Sequence, residues 1–321
     1  MNTPRIDVVM PVYNAQAYVA EAVTSILRQS FENFRLICID DGSTDRSSGI
    51  LDKLSAEDDR LQIIRQENQG LVRALNVGVS ACTAPLIARM DADDIAMPDR
   101  FVRQVEFLES HPEVIAVGTA ILEMDSDTDP LGVERFATEH DQIDGSMLRL
   151  KTGMAHPSVM MRREAVQSLG GYRIDYEWVE DIDLWLRMAE TGQLANLPDV
   201  LLCYRQHTSS GTWSVGQSRR QRTLALIEEA YARRGLEFPD ELIRQCGKSR
   251  SSGGPAKWAR KASRQGQWHV AMKHLQRQWK LQPLSVLTWR MTLEVALRSA
   301  VTSLARRRSE IPDIPRYRDA A

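Results

Sequence analysis

The first hundred residues alternate between short apolar runs and longer segments in which apolar residues recur at helical spacing. The β-branched apolar runs predict buried strands over residues 6–12, 34–39, 61–65 and 85–90. The periodic segments predict helices over 17–29 and 71–81, and another that ends near residue 54, with Ser43 or Thr44 as its N-cap. This alternation is typical of right-handed βαβ units. We therefore expect an α/β fold, with a Rossmann-like mixed, mostly parallel sheet flanked by helices.

Beyond residue 98 the same pattern predicts helices over 98–110 and 180–191, and strands near 114–122, 158–162 and 200–205. After residue 209 the chain becomes helix-patterned and rich in arginine, and the Ser- and Gly-rich stretch 248–255 predicts a linker. We therefore divide the chain into residues 1–215, which contain the sheet, and residues 216–321, a basic α-helical C-terminal region.

Three aspartates alternate along the loop after the strand near 114–122, as in a calcium-binding EF-hand loop. They are Asp125, Asp127 and Asp129. Pro130 stands where such a loop needs a glycine, and Phe136 stands where it needs a glutamate. The sequence therefore predicts a solvated acidic loop and no calcium site.

Charge divides this 321-residue chain more sharply than its net value of −2 indicates. Residues 1–218 hold 19 basic and 34 acidic side chains, whereas residues 219–308 hold 20 basic and 6 acidic ones. Such a basic segment is typical of a polyanion partner, such as an anionic membrane, and a solvated helical face is the alternative. No nucleic-acid-binding motif accompanies the basic residues, so a nucleic-acid partner is not expected.

The segment 284–304 is amphipathic. Arg290, Glu294 and Arg298 fall four apart and form a polar stripe. The opposite face is apolar at helical spacing, with Val286, Trp289, Leu293, Leu297, Ala300 and Leu304. This face could lie in a membrane interface, pack on a neighbouring helix, or join subunits of an oligomer.

Four cysteines lie far apart, without the spacing of a zinc site or a disulfide framework, which favours a reducing cytoplasm. The first predicted strand begins at residue 6, which leaves no room for a signal peptide. No uncharged apolar run reaches about 18 residues, so no membrane span is expected. We expect a cytoplasmic protein, with the C-terminal helices as its candidate contact with the inner face of the membrane.

Polar clusters follow three of the predicted strands, at residues 11–14, 40–43 and 91–94. Open parallel sheets bind ligands beyond the carboxyl ends of their strands. None of the clusters is a glycine-rich dinucleotide loop or a P-loop. A carboxylate-built site repels a diphosphate unless a cation such as Mg²⁺ or Mn²⁺ bridges them. Asp91 and Asp93, read as an extended D-x-D, are expected to point the same way, with Asp94 pointing across.

Six motifs in this order make the chain similar to glycosyltransferase family 2 over residues 6–210. They are residues 8–47, residues 68–78, residues 91–100 with their DADD, the HPSV of 156–159, the EDIDLWLR of 180–187 and the YRQH of 204–207. The resemblance implies the A-type glycosyltransferase fold, a nucleotide-diphosphate-sugar donor, a divalent metal and inversion of the anomeric configuration.

The resemblance also implies roles for individual residues. It places Pro11, Tyr13, Asn14, Asp41 and Asp91 at the donor nucleotide, with Asp41 accepting a hydrogen bond from the base. It makes Asp93 and Asp91 the metal ligands, Asp93 the more direct one, and it places Asp94 near the donor sugar.

Asp181 matches the family's catalytic base, with Glu180 and Asp183 as its structural neighbours. Inverting transfer is a single displacement, so a carboxylate must accept the proton of the attacking hydroxyl. Asp181 lies near a predicted helix start, where the helix dipole favours an ionised carboxylate.

Two histidines have weaker assignments. His156 is placed near the acceptor by its match to the family, and an ordinary packed histidine is the alternative. His207 precedes a Ser- and Gly-rich stretch and could bind the metal or the diphosphate, whereas Arg205 beside it could pair with phosphate.

The sequence therefore predicts an inverting, metal-dependent hexosyl- or N-acetylhexosaminyltransferase. Its donor is expected to be a UDP-sugar, and its acceptor a glycan or lipid-linked glycan in cell-surface polysaccharide synthesis. A sugar nucleotidyltransferase is an alternative, but the loop after the first strand lacks the glycines and lysine that such an enzyme needs. A non-catalytic polyanion-binding protein is the alternative outside enzymes.

Overall fold

The computed structural model describes residues 3–207, 216–246, 254–304 and 311–317. Its first half alternates strands and helices: β1 (Ile6–Val12), α1 (Val19–Leu27), β2 (Phe34–Asp41), α2 (Ser47–Glu57), β3 (Leu61–Gln66), α3 (Leu71–Ala81), β4 (Leu86–Arg89), β5 (Ile95–Ala96) and α4 (Arg100–Ser110). The next elements are β6 (Val114–Asp125), β7 (Pro130–Glu134), α5 (His140–Met147), β8 (Met160–Arg162), α6 (Arg163–Ser168), α7 (Glu180–Met188) and β9 (Gln193–Gln206). The remaining helices are α8 (Gly216–Arg233), α9 (Asp240–Cys246), α10 (Pro255–Arg264), α11 (Trp268–Leu281) and α12 (Val286–Leu304).

The described strands form one mixed sheet in the order β3-β2-β1-β4-β8-β6-β9-β5, with β7 paired to β6. β1, β2, β3 and β4 run parallel, and β8 lies antiparallel between β4 and β6. Every residue of β1 is buried because helices cover both faces of the sheet. Val8 and Met10 pack toward α1, α2 and α4, while Val9 packs toward α3 and α7. The predicted α/β fold is confirmed.

The sequence missed β5, β7, α5 and α6, which are too short or too poor in apolar residues to give a periodic signal. The predicted N-cap of the second helix is wrong. α2 begins at Ser47. Ser43 and Thr44 instead form hydrogen bonds with Asn14, which connect the loop after β2 to the loop after β1.

Helix α7 is fixed to α8 by an ion-pair network. The carboxylate of Asp183 accepts hydrogen bonds from Arg173 and from Arg187, whose Nη2 lies 2.7 Å away, so Asp183 is structural. Arg173 also donates to Glu229 of α8 at 2.8 Å. Apolar residues of α8 and α9 complete the core beside α7. These two helices therefore pack as part of the unit that contains the sheet. The division at residues 215 and 216 stays a prediction.

Helices α10, α11 and α12 share a core of their own, to which β7 contributes Leu131. The acidic loop after β6 is the place where this unit docks, and the prediction of a solvated loop is wrong for Asp125, whereas Asp127 is exposed. Asp125 is fully buried, and its Oδ2 lies 2.6 Å from Lys273 Nζ and 2.9 Å from His274 Nε2. Lys273 also pairs with Asp127 and Asp129, at 2.8 Å and 2.5 Å. Part of the basic charge therefore faces the chain's own carboxylates.

Within the described part of the chain, helix α12 exposes most of its predicted apolar stripe, although Trp289 contacts Trp279 of α11. Met291 and Val295 are buried against α10 and α11, whereas Val286, Leu293 and Leu297 are exposed. Ala300 and Leu304 of the stripe lie outside the described side chains. Among the described residues, no helix combines the length and apolarity needed to cross a membrane.

Candidate functional site

Asn14 joins the carboxyl ends of β1 and β2. Its backbone lies in the left-handed region, which asparagine tolerates better than most residues (φ 49°). Its N–H donates to Ser43 Oγ at 3.1 Å, and its Oδ1 accepts from the Thr44 N–H at 2.8 Å. Pro11 is buried in β1, whereas Tyr13 is 52% exposed. The Tyr13 ring is therefore free to contact a ligand at this edge.

Asp41 holds the loop that follows β3. It is buried, and it accepts hydrogen bonds from Gln66 Nε2 at 2.6 Å and from the N–H groups of Gln69 and Gly70, both at 2.9 Å. A Cβ on Gly42 would lie 2.7 Å from a backbone nitrogen of that loop, so glycine permits the close approach. A carboxylate offers about four acceptor positions, which leaves one for a further donor.

Asp91, Asp93 and Asp94 converge after β4. An oxygen of each lies within 4.8 Å of an oxygen of the others. The expectation that Asp94 points across rested on an extended backbone, and it is wrong because these residues form a turn. The Asp94 N–H donates to the Asp91 carbonyl at 3.5 Å. Burial and the neighbouring aspartates raise the pKa of Asp94 well above its usual value.

The three carboxylates fit a divalent metal. Asp94 is buried and Asp91 and Asp93 are half-buried, and carboxylates that converge in this way repel one another unless a cation offsets their charge. Asp94 Oδ2 is buried and has no hydrogen-bond partner among the described residues, which is costly for a carboxylate oxygen. Carboxylate oxygens are ligands that Mg²⁺ and Mn²⁺ prefer. His207, a predicted ligand, places Nε2 2.8 Å from Asp93 Oδ2.

All three guanidinium nitrogens of Arg205 form hydrogen bonds within the protein, so this side chain is not available to bind a phosphate. Its side chain is 1% exposed. Nε donates to the carbonyl of Asp93 at 2.7 Å, Nη1 donates to Thr128 at 2.8 Å and Nη2 donates to Glu21 at 2.7 Å. Its N–H donates to Asp94 Oδ1 at 2.8 Å. The alternative in which Arg205 pairs with a phosphate is therefore wrong, and this side chain supports the acidic turn.

A cavity of about 320 Å³ opens beside the acidic turn. Residues far apart in the sequence meet on its wall, among them Asp91, Asp93, His156 and Asp181. The other residues predicted for the site do not line this cavity. They are Pro11, Tyr13, Asn14, Asp41, Asp94 and His207. The structure thus places two of the predicted metal ligands, the predicted base and the predicted acceptor residue around one cavity. The other predicted nucleotide residues lie at neighbouring strand ends.

Asp181 and Glu180 form the first turn of α7 at the cavity wall. Asp181 Oδ1 accepts the N–H of Ile182 at 2.8 Å. Burial raises the pKa of Asp181, and the positive charge of Arg219 lowers it by a smaller amount. The effect of burial therefore outweighs the lowering of the pKa that a position at the helix start predicts. Burial and the charge of Asp181 raise the pKa of Glu180 to about 7. Burial therefore makes both adjacent carboxyl groups harder to ionise than they would be in water.

His156 is buried on the same wall. Its Nε2 lies 2.9 Å from the hydroxyl of Tyr172, and its ring packs edge-on against Trp185, with 5.8 Å between centroids. Burial and the charge of Arg89 lower the pKa of His156 well below its usual value. The ring is therefore neutral, and because Nε2 contacts the Tyr172 hydroxyl, Nδ1 is the ring nitrogen left for a further hydrogen bond.

The sequence missed two arginines on the cavity wall. Arg89 is buried and forms an ion pair with Asp91, and its Nε and Nη1 have no partner among the described residues. Arg89 is a charged residue within an apolar strand, two positions before Asp91, and this pattern could have indicated its place at the site. Arg219 lies on α8, beyond the predicted boundary, and nothing local in the sequence places it at the site.

Comparisons with known proteins bear on this site. A family model described as "Glycosyl transferase family 2" matches residues 7–170, from β1 through α6. The EpsE protein of Bacillus subtilis is 36% identical over 212 residues, which cover 64% of this chain and 75% of EpsE. The amylovoran biosynthesis glycosyltransferase AmsE of Erwinia amylovora is 34% identical over 203 residues, which cover 62% of this chain and 75% of AmsE.

Solved structures share the fold. TarS of S. aureus (residues 1–349), in complex with UDP-GlcNAc, aligns with a TM-score of 0.63 at 17% identity, covering 94% of this chain and 91% of that one. The mannosyltransferase PcManGT of Pyrobaculum calidifontis, in complex with GDP-Man and Mn²⁺, aligns with a TM-score of 0.55 at 18% identity, covering 94% and 87%. The architecture of the sheet and its helices is therefore that of these transferases.

Proposed function

The chain belongs to glycosyl transferase family 2 and is a glycosyltransferase, and from this premise we propose an inverting, metal-dependent transfer from a UDP-sugar. The transferred unit is a hexosyl or N-acetylhexosaminyl group, and the acceptor is a glycan or lipid-linked glycan of a cell-surface polysaccharide. One observation carries the proposal: the acidic turn after β4 and the carboxylate of Asp181 lie on the wall of one cavity.

The nucleotide binds at the carboxyl ends of β1 and β2. Tyr13 is exposed there and offers a ring to the base, and Asp41 keeps an acceptor position for a base N–H. Asn14 connects the two strand ends by hydrogen bonds, and Pro11 is buried in β1, so both residues shape this edge. TarS, solved with UDP-GlcNAc, and AmsE, named for amylovoran synthesis, support a UDP-sugar donor and a polysaccharide product.

Asp93 and Asp91 hold the metal, with Asp94 as a third carboxylate of the cluster and His207 beside Asp93 as a further ligand. When bound, Mn²⁺ or Mg²⁺ offsets negative charge on the departing diphosphate. Arg89 holds Asp91 by an ion pair, and Arg205 holds the carbonyl of Asp93. These two arginines orient the ligands before the donor arrives. PcManGT, solved with GDP-Man and Mn²⁺, supports the metal dependence.

Asp181 is the base. The acceptor hydroxyl attacks the anomeric carbon from the face opposite the diphosphate, the bond from that carbon to the phosphate oxygen breaks, and Asp181 takes the hydroxyl proton. The transition state resembles an oxocarbenium ion, which nearby carboxylates favour. Since one displacement reverses the configuration once, the product is inverted.

The acceptor occupies the part of the cavity beside His156. Its neutral ring lies on the same cavity wall as the base and can hydrogen-bond a sugar hydroxyl without adding charge. Asp94 is buried with its Oδ1 bound to the Arg205 N–H, and we propose that Asp94 acts on the donor sugar through the turn that it stabilises.

A donor screen tests the proposal. Hydrolysis of UDP-, GDP- and dTDP-sugars is measured with Mn²⁺, without it and with EDTA, for the wild type, Asp93→Asn and the surface control Asp199→Asn. We expect hydrolysis of a UDP-sugar that EDTA and Asp93→Asn abolish and that Asp199→Asn leaves unchanged. Hydrolysis that EDTA does not affect, or none with any nucleotide sugar, would contradict the proposal.

A further inference from the structure

Helix α12 is apolar on two opposite faces. Its inner face, with Met291 and Val295, is buried against α10 and α11. On the opposite side, Val286, Leu293 and Leu297 are 82%, 62% and 60% exposed. A helix that packs on one side of a water-soluble unit normally turns polar residues outward. The second apolar face therefore has a cost in water that nothing in the described chain offsets.

The exposed residues continue into the end of α11 and the turn before α12. We call the set the outer face; its members are Leu281, Leu284, Val286, Trp289, Leu293 and Leu297, all more than half exposed. Contiguous apolar patches of this kind mark interaction sites. The Trp289 ring stands edge-on to Trp279, with 4.6 Å between centroids, so this bulky side chain is held in place at the surface.

Positive charge accompanies the outer face. Residues 254–304 hold nine Lys and Arg and a single acidic residue, Glu294. Lys280 immediately precedes Leu281, and Arg290 lies four residues after Val286, so that it borders the outer face along α12. Neither Lys280 nor Arg290 makes an ion pair with a described residue. Two cations are thus set directly beside exposed apolar side chains.

We propose that the outer face binds an anionic lipid membrane, with α12 lying in the plane of the interface. Its leucines and Val286 enter the boundary of the acyl chains, and Trp289 lies at the headgroup level, where tryptophan is enriched. Lys280 and Arg290 reach anionic headgroups. This contact does not depend on the proposed function, because lipid binding requires neither donor nor metal.

Charge disfavours a second copy of the chain as the occupant. A two-fold interface would bring the same patch of two copies together, and so would bring two sets of the cations Lys280 and Arg290 into one contact. Glu294, the acidic residue of this region, is already held by Arg260 at 3.0 Å and by Arg298 at 3.5 Å. An anionic surface supplies the missing negative charge, whereas a second copy supplies more positive charge.

Vesicle flotation of the full-length protein tests the proposal, with phosphatidylcholine vesicles and with vesicles that also contain phosphatidylglycerol. The outer-face variant is Leu293→Ser with Leu297→Ser, and the charge variant is Lys280→Gln with Arg290→Gln. Leu236→Ser with Ile243→Ser is the matched control, because both side chains are 51% exposed but belong to the α8–α9 region. Circular dichroism establishes that each variant is folded, and sedimentation velocity gives its mass.

We expect the wild type to bind the anionic vesicles. The outer-face variant should bind roughly tenfold to a hundredfold more weakly, and the matched control should bind like the wild type. The charge variant should bind about tenfold more weakly and lose the preference for phosphatidylglycerol. A wild type that floats with neither vesicle, or an outer-face variant that binds as well as the wild type, would overturn the proposal. So would a wild-type dimer that the outer-face substitutions dissociate, since the face would then join two copies.

Discussion

Arg205, at the end of β9, donates from Nε to the backbone carbonyl of Asp93 at 2.7 Å. The same guanidinium bonds to Thr128, in the loop on which α11 docks through Lys273. The position of Asp93 therefore depends on a buried arginine that also contacts the attachment point of the C-terminal helices. These hydrogen bonds connect the acidic turn to a part of the chain that lies outside the cavity.

Arg205→Lys tests this connection. Lysine keeps the charge but cannot supply the planar set of donors, so Asp93 should be held less firmly. We expect the Mn²⁺ concentration for half-maximal donor hydrolysis to rise about tenfold to a hundredfold, the range for loss of a group that orients a metal ligand. Arg103→Lys, in the exposed pair with Asp199, is the control. An unchanged Mn²⁺ requirement in Arg205→Lys would show that Arg205 has no part in metal binding.

Lys273→Met tests how the C-terminal helices are attached. Asp125 would remain buried with one partner fewer, so unfolding in urea should show a loss of about 2–4 kcal/mol. Lys280→Met, which removes an exposed lysine, should cost less than about 0.5 kcal/mol. Equal stabilities of the two variants would contradict the docking role of Lys273.

The same variant has a predicted pH dependence. Burial opposes ionisation of Asp125, but hydrogen bonds from His274 and Lys273 hold the pKa of Asp125 below its usual range. A lowered pKa stabilises the folded protein above the unfolded value of about 3.9, and this stabilisation is lost as the pH falls. The stability difference between the wild type and Lys273→Met should therefore be full at neutral pH and shrink below about pH 4. A constant difference across this range would argue against the ion pair.

Glu180→Gln should stabilise the protein at neutral and higher pH. The pKa of Glu180 is raised to about 7, so the folded protein binds more protons than the unfolded chain between about pH 4.5 and 7, and its stability falls as the pH rises. Glutamine cannot ionise, so Glu180→Gln does not lose stability in this way as the pH rises. Thermal unfolding should show little difference at pH 4.5 and a gain of about 1–3 kcal/mol at pH 8. A variant less stable than the wild type at pH 8 would contradict the raised pKa of Glu180.

Much of the fold could be predicted from the sequence where a single element carries its own signal. Strand β1 and helix α3 have the predicted bounds because their residues show the periods of a strand and a helix. The sequence wrongly predicts a solvated Asp125 because the partners of this residue, Lys273 and His274, lie almost 150 residues away. No local pattern encodes such a long-range ion pair.

The site shows the same limit. Asp91 and Asp93 could be recognised because strand ends and acidic motifs are adjacent in sequence. Arg89 and Arg219 were missed because their importance comes from the cavity that β4, α7 and α8 form together. The exposure of the second apolar face of α12 also depends on which side α10 and α11 cover, and the helical period alone does not decide this.

Asp181→Asn distinguishes the base from its neighbour. The amide that replaces the carboxylate cannot accept a proton, so transfer to an acceptor should fall about 10²–10⁴-fold while donor binding is retained. Glu180→Gln, by contrast, should keep transfer within a few-fold of the wild type. Transfer rates and donor affinities of both variants provide the check. Retained transfer in Asp181→Asn, or equal losses in both variants, would remove Asp181 from its proposed role.

We propose that the acidic turn binds a nucleotide diphosphate through a metal, and calorimetric titration with UDP is the decisive test. We expect the wild type to bind UDP with Mn²⁺, to bind it at least tenfold more weakly with EDTA, and to lose the difference in Asp93→Asn. UDP binding of equal strength with Mn²⁺ and with EDTA, or a Mn²⁺ effect that survives in Asp93→Asn, would contradict the account.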